Sequence, residues 1–183
     1  MTAPTQDYLA RVQSALDALR IPQDFFAGRA LAVQHEAREL ELVEVGENGR
    51  EYLLIPPAAA GWRELRSAAA ADGITLKIVS AFRSLDRQVE IVREKLACGL
   101  SLEAIFAASA PPGYSEHHTG RAVDVSTTGV RALEVEFEET PAYRWLADHA
   151  GKFGFALSYP RDNPYGYVYE PWHWCYRLAG TAA

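Results

Sequence analysis

Two imidazoles and a carboxylate that could share a metal stand in three short polar segments of this chain. The segments are Ser80-Ala81-Phe82-Arg83-Ser84, then Ser115-Glu116-His117-His118-Thr119-Gly120-Arg121-Ala122-Val123-Asp124, and finally Glu170-Pro171-Trp172-His173. A catalytic zinc ion takes three protein ligands and keeps a fourth position for water, whose pKa it lowers towards ~7. His117, Asp124 and His173 can fill the three places, although His118 rivals His117 by residue type. Glu170, three residues before the last imidazole, is then left as a base, and Arg83 is a permanent positive charge for an oxyanion. Asp124 lies in a Val-Asp-Val context, where an unpaired buried carboxylate would be costly and a metal would relieve it. This is the equipment of a zinc hydrolase.

The pattern Ser-x-His-x-x-Gly-x-Ala-x-Asp followed by Glu-x-x-His resembles the D-Ala-D-Ala metallopeptidases. That family comprises VanY-type D,D-carboxypeptidases, VanX-type dipeptidases and some phage peptidoglycan endopeptidases, and is grouped with lysostaphin-type peptidases and the zinc domain of sonic hedgehog. The likeness runs from about Ser80 to about Tyr176, through Pro111-Pro112-Gly113, Phe153-Gly154-Phe155 and Ser158-Tyr159-Pro160. Residues 1–75 carry no such likeness. The resemblance implies His117, Asp124 and His173 as Zn2+ ligands, and it selects His117 over His118 because Ser115 lies two residues before it and Gly120 three after. It implies Glu170 as the general base and Arg83 as the oxyanion partner. Gln88 and Ser115 resemble residues that bind the substrate's C-terminal carboxylate or peptide. One departure is Cys175, which stands where relatives often carry an arginine and bears on substrate preference.

The activity implied is a zinc carboxypeptidase removing a terminal D-alanine, at a D,D- or an L,D-bond, from peptidoglycan stem peptides. A D-Ala-D-Ala dipeptidase and an L-alanyl-D-glutamate endopeptidase are the alternatives within the family. A hedgehog-like binding module without turnover would be favoured by replacement of Glu170 or Arg83, and both are present. Non-haem iron oxygenases also use two histidines and a carboxylate, but usually as a closely spaced His-x-Asp, whereas His117 and Asp124 are seven residues apart.

The 183 residues, 49% hydrophobic and 23% charged, suit one soluble domain. A net charge of -6 with no Lys/Arg-rich block argues against nucleic acid and anionic membranes as partners. No segment approaches the ~20 apolar residues of a membrane span, and the N-terminal MTAPTQDYLARVQSALDALR holds no apolar signal core. A cytoplasmic monomer is therefore expected, or a periplasmic or cell-wall one if an export signal has been removed. Cys98 and Cys175 form no disulfide framework and are expected as reduced, mostly buried thiols. On a strand, Cys175 would share a face with His173, close to the metal, packing beneath the site rather than ligating it.

These residues need elements to position them. Tyr8, Leu9, Val12, Leu16 and Leu19 trace one stripe of a helix over residues 5–20, and a hairpin is expected between Leu40 and Leu54 around Gly46-Glu47-Asn48-Gly49. Pro56-Pro57 opens a helix to Ala71, closed by Asp72-Gly73. A strand over Thr75–Phe82 leads into a helix over Leu85–Leu96, with Arg83 at the junction, and a short helix follows over Leu102–Ala108. Ala122–Val125 reads as a strand with Ala122 and Asp124 on one face and the valines on the other. Residues 130–140 read as an irregular acidic excursion, Pro141–Ala150 as a helix, and Phe155–Leu157 and Tyr167–Tyr176 as strands. Glu170 and His173, three apart, need a kink near Pro171 to face one cleft. The expectation is a single α+β domain with a small antiparallel sheet flanked by helices, hedgehog/D,D-peptidase-like. Within it residues 1–75 form a helix-and-hairpin cover and residues 76–178 the catalytic core, with disorder at Met1–Thr5 and Gly180–Ala183.

Overall fold

A computed structural model describes residues 5–47 and 49–178; Asn48 of the hairpin turn and, apart from Thr5, the two chain tips lie outside the described residues. Helix α1 is Gln6–Ala18, started by the Thr5 hydroxyl, which accepts from the Tyr8 N–H. Strands β1 (Glu41–Val45) and β2 (Glu51–Leu54) form the expected antiparallel hairpin. Helix α2 (Pro56–Ala71) precedes strand β3 (Lys77–Ser80), helix α3 (Leu85–Ala97) and helix α4 (Leu102–Ala107). Strand β4 (Ala122–Ser126), helix α5 (Pro141–His149), strand β5 (Phe155–Leu157) and strand β6 (His173–Tyr176) complete the order. Thr5, Ser84, Ser101 and Thr140 each cap a helix through their hydroxyls, which contributes about 1 kcal/mol per cap.

The main sheet is antiparallel with the order β3-β4-β6-β5. Its register places Asp124 opposite Ser80 on one side and opposite His173 on the other. Cross-strand neighbours have Cβ atoms about 5 Å apart, so residues far apart in sequence meet through pairing alone. Strand β4 is buried along its whole length. Val123, Val125 and Trp174 join a core with Leu54, Trp62 and Phe155, while Asp124 and His173 alternate with them and open on the other face. Among the described residues no helix is long and apolar enough to cross a membrane.

Several expectations change. The strand expected over 75–82 shortens to Lys77–Ser80, with an irregularity between Ile78 and Ser80, which frees residues 81–84 to turn into α3. The strand expected over 167–176 keeps only its last four residues. The acidic excursion holds a turn of 3-10 helix at Val135–Glu139, anchored by buried Phe137. Leu9 is 40% exposed while Tyr8 and Val12 are buried, because α1 rests on Leu85 and its neighbours with a narrow face only. Cys98 caps the end of α3 and is exposed, contrary to expectation, whereas Cys175 is buried.

Residues 21–39, unassigned by pattern, form a strap without strands. Its backbone N–H groups at Ala30, Gln34 and Ala37 donate to the carbonyls of Pro164, Gly113 and His118. The strap thus ties the N-terminal part of the chain to the segment carrying His117.

Candidate active site

His117 sits in a turn of 3-10 helix, Glu116–Thr119, opened by Ser115, whose hydroxyl accepts from the His117 N–H at 3.3 Å. Gly120 ends that turn at φ +63°, where an added Cβ would lie 2.9 Å from Leu40 and 3.1 Å from Ile55. The left-handed conformation and the close approach both call for glycine. From there the chain enters β4 directly, and Asp124 arrives between His117 and His173.

The geometry is compact. Asp124 Oδ2 is 3.1 Å from His117 Nε2, and Asp124 Oδ1 is 2.9 Å from His173 Nδ1. One donor atom from each of the three lies within 4.8 Å of the others. The remaining ring nitrogens are held from behind: His117 Nδ1–H donates to the Ala81 carbonyl at 2.7 Å, and His173 Nε2–H donates to Glu116 Oε2 at 3.0 Å. Such outer partners set which nitrogen faces a metal.

The electrostatics fit a cation at the same point. Burial works against charge on His173, but hydrogen bonds to Asp124 and Glu116 outweigh it and raise its pKa to about 10. Burial likewise opposes ionisation of Asp124, yet the two imidazoles hold its carboxyl far below the usual range. Two imidazole nitrogens and a carboxylate suit zinc, which binds such ligands in their deprotonated form. His118 offers no ligand atom: Nδ1–H donates to the Arg83 carbonyl at 2.6 Å and Nε2 accepts from the Gly113 N–H at 3.1 Å. Fully buried, it ties the Arg83 backbone to the Pro111-Pro112-Gly113 turn.

Glu170 and His173 do face one cleft. The His173 N–H donates back to the Glu170 carbonyl at 3.1 Å, closing a turn over Pro171-Trp172, so the expected kink is a turn that precedes β6. Glu170 Oε2 is 3.8 Å from His173 Nδ1. Burial pushes its carboxyl up to about 7, against the pull of His173 and with a further push from Asp124. Arg83, at the β3–α3 junction, donates to Gln88 Oε1 at 2.8 Å and Ser80 Oγ at 3.1 Å, with Asp124 Oδ2 at 3.9 Å. Arg83, Ser115, Glu170 and the three donors line one cleft of about 540 Å³.

Residues 51–179 match the sequence profile of VanY, D-alanyl-D-alanine carboxypeptidase. The chain belongs to the VanY family. It is 34% identical over 155 residues to a D-alanyl-D-alanine carboxypeptidase of Enterococcus faecalis, covering 79% of this chain and 54% of that protein. The chain spans 54% and 62% of the lengths of two curated relatives. The LdcB LD-carboxypeptidase superposes with a TM-score of 0.68 at 33% identity, over 78% of this chain and 70% of that one. A mutant VanY D,D-pentapeptidase from a VanB-type resistance cassette, solved in complex with Zn(II), gives 0.59 at 33% identity, over 75% and 78%.

Within this VanY-family cleft the remaining residues divide by position. Ser115 lies on the cleft wall. Gln88 is fully buried behind the guanidinium, its Oε1 taken by Arg83 and its Nε2 donating to the Ala110 carbonyl at 2.6 Å. Tyr159, which sequence reasoning did not single out, packs on His173 with ring centroids 4.5 Å apart. Cys175 shares a strand face with His173, but its thiol lies beside Glu116 and outside the donor trio; burial and that carboxylate keep it protonated.

Glu116 was also missed. It is adjacent to His117 in sequence yet serves His173, and only the register of β6 against β4 reveals this. Burial opposes its charge, but the His173 hydrogen bond holds its pKa at about 2. Losing such a partner weakens metal binding by 10–100-fold in known sites. Glu116→Gln should therefore raise the zinc dissociation constant ~10-fold and Glu116→Ala ~100-fold, as measured by chelator competition. Unchanged zinc affinity in both would remove Glu116 from the metal centre.

Proposed function

We propose that this chain is a zinc-dependent carboxypeptidase that releases a terminal D-alanine, at a D,D- or L,D-bond, from peptidoglycan stem peptides. The observation that carries the reading is that Glu170 and Arg83 open on the same cleft as His117, Asp124 and His173. His117, Asp124 and His173 would hold a zinc ion, which would supply a Lewis acid and make nearby water acidic enough to ionise near neutral pH. Glu170, held near neutrality by its burial, takes the proton of the attacking water and passes it to the leaving amine. Arg83, braced by Gln88 and Ser80, donates to the carbonyl oxygen as negative charge develops there. Ser115, on the cleft wall, is placed to meet the peptide. The acting unit in this reading is the monomer.

The test is to incubate zinc-loaded protein with a synthetic stem pentapeptide, a tetrapeptide and free D-Ala-D-Ala, and to weigh the products. Release of one D-alanine from the pentapeptide is the D,D outcome, and release from the tetrapeptide the L,D outcome. Cleavage of the free dipeptide alone identifies a dipeptidase, and a cut between L-alanine and D-glutamate an endopeptidase. If zinc is bound and nothing is cleaved, the enzyme reading falls and a binding module replaces it.

A further inference from the structure

Arg83 is held along its backbone as well as at its guanidinium, and two consecutive histidines do the holding. The Arg83 N–H donates to the His117 carbonyl at 3.2 Å, and the Arg83 carbonyl accepts from His118 Nδ1–H at 2.6 Å. Two residues earlier the Ala81 carbonyl accepts from His117 Nδ1–H at 2.7 Å. These bonds fall where the chain needs them. It leaves β3 at Ser80 and enters α3 at Leu85, so residues 81–84 lie between two ladders and must find partners elsewhere.

His118 is fully buried yet lies outside the donor trio, so metal binding does not account for it. Its far nitrogen decides where its proton sits. Because Nε2 accepts from the Gly113 N–H at 3.1 Å it holds no hydrogen, and the neutral ring carries its proton on Nδ1, facing Arg83. Gly113 is itself pinned: at φ +88° an added Cβ would lie 2.5 Å from Val12 of α1, and its carbonyl accepts from the Gln34 N–H of the strap at 2.7 Å. The same stretch steadies the guanidinium, since Gln88 bridges Arg83 Nη1 and the Ala110 carbonyl. Two fully buried polar side chains, His118 and Gln88, therefore connect both ends of Arg83 to residues 110–113.

We propose that His118 is a positioning residue whose Nδ1–H fixes the Arg83 peptide, so that the guanidinium meets the carbonyl oxygen where charge develops. The inference rests on the carboxypeptidase reading, which gives Arg83 that task. The peptide groups on either side of a Cα set where its side chain points, and a displacement of ~1 Å in an active site can cost ~10²-fold.

The test compares zinc-loaded full-length protein with His118→Gln, His118→Phe and His118→Asn on a stem peptide that the wild type cleaves. Glutamine reaches the Gly113 N–H but leaves the Arg83 carbonyl unpaired, and phenylalanine keeps the ring's shape without either bond. Both should lower kcat ~10–100-fold with KM within ~3-fold of wild type. Asparagine places an amide N–H where Nδ1–H stood, and His118→Asn should recover most of the loss. A purely structural role would not give the expected result of a cycle with Arg83: once Arg83→Ala has removed the guanidinium, adding His118→Gln should cost less than ~2-fold more. Zinc content and melting temperature are measured on every variant, and if His118→Phe does not fold, His118→Gln, which strands a single carbonyl, decides. Equal His118→Gln losses in both backgrounds, a loss traced to missing zinc, no loss at all, or His118→Asn as poor as His118→Gln would overturn the proposal. If the wild type cleaves no stem peptide, the carboxypeptidase reading falls and the proposal falls with it. Failure of the cycle in an active enzyme removes His118 alone.

Discussion

Glu170→Ala and Glu170→Gln should each lower kcat by ~10²–10⁴-fold while leaving one zinc per chain. The carboxyl is outside the trio whose donor atoms converge within 4.8 Å, so zinc content should not change. It faces the same cleft and lies 3.8 Å from His173 Nδ1, near enough to serve water activated there. Its burial raises its pKa to about 7, so the site keeps a carboxyl where burial disfavours its charge. The neutral isostere in Glu170→Gln avoids that cost, and the metal-free melting temperature should not fall. Turnover assays, metal analysis and calorimetry on the same preparations separate these effects. Activity within 10-fold of wild type would show that another group moves the proton.

Asp124→Ala should give the opposite signature, with zinc lost and the metal-free fold weakened. Asp124 pairs with both imidazoles at 3.1 and 2.9 Å and lies 3.9 Å from Arg83. Without it, His173 and Arg83 remain buried around a site with no shared counter-charge. Removing one partner of a buried pair typically costs 3–5 kcal/mol, so the metal-free melting temperature should drop by several degrees or more. Wild-type protein should gain stability on zinc addition, since a ligand that binds only the folded state stabilises it. The variant should not. A melting temperature for Asp124→Ala that still rises with zinc as it does in wild type would place the metal elsewhere.

These two variants separate a carboxylate inside the converging donor trio from one outside it, a division the family resemblance implied. Residue spacing also conveyed the β3–α3 junction at Arg83, the hairpin and the proline-opened helices, since each rests on local signals. The strap over residues 21–39 was not legible, because it is held by backbone hydrogen bonds to Gly113, His118 and Pro164 rather than by a periodic apolar pattern. The extent of β6 was overestimated for a related reason. Tyr167–Trp172 has strand-like composition, but the N–H groups of Val168 and Glu170 donate to the carbonyls of Ala107 and Tyr159, and the Glu170 carbonyl accepts from His173 in a turn.

Residue types and local spacing pointed to the α+β character and offered His117, His118, Asp124, His173, Glu170 and Arg83 as candidates, because those features depend on side-chain chemistry and short-range periodicity, and the family resemblance implied the role of each. Only the folded chain assigned atoms to roles. Nε2 of His117 and Nδ1 of His173 face the site because Ala81 and Glu116 hold the opposite nitrogens. Gln88 stands behind Arg83, and Lys95 lines the same cleft. Strand pairing brings Ser80, Asp124 and His173 into register across long stretches of chain, and no local signal encodes which nitrogen or which oxygen will then be left free.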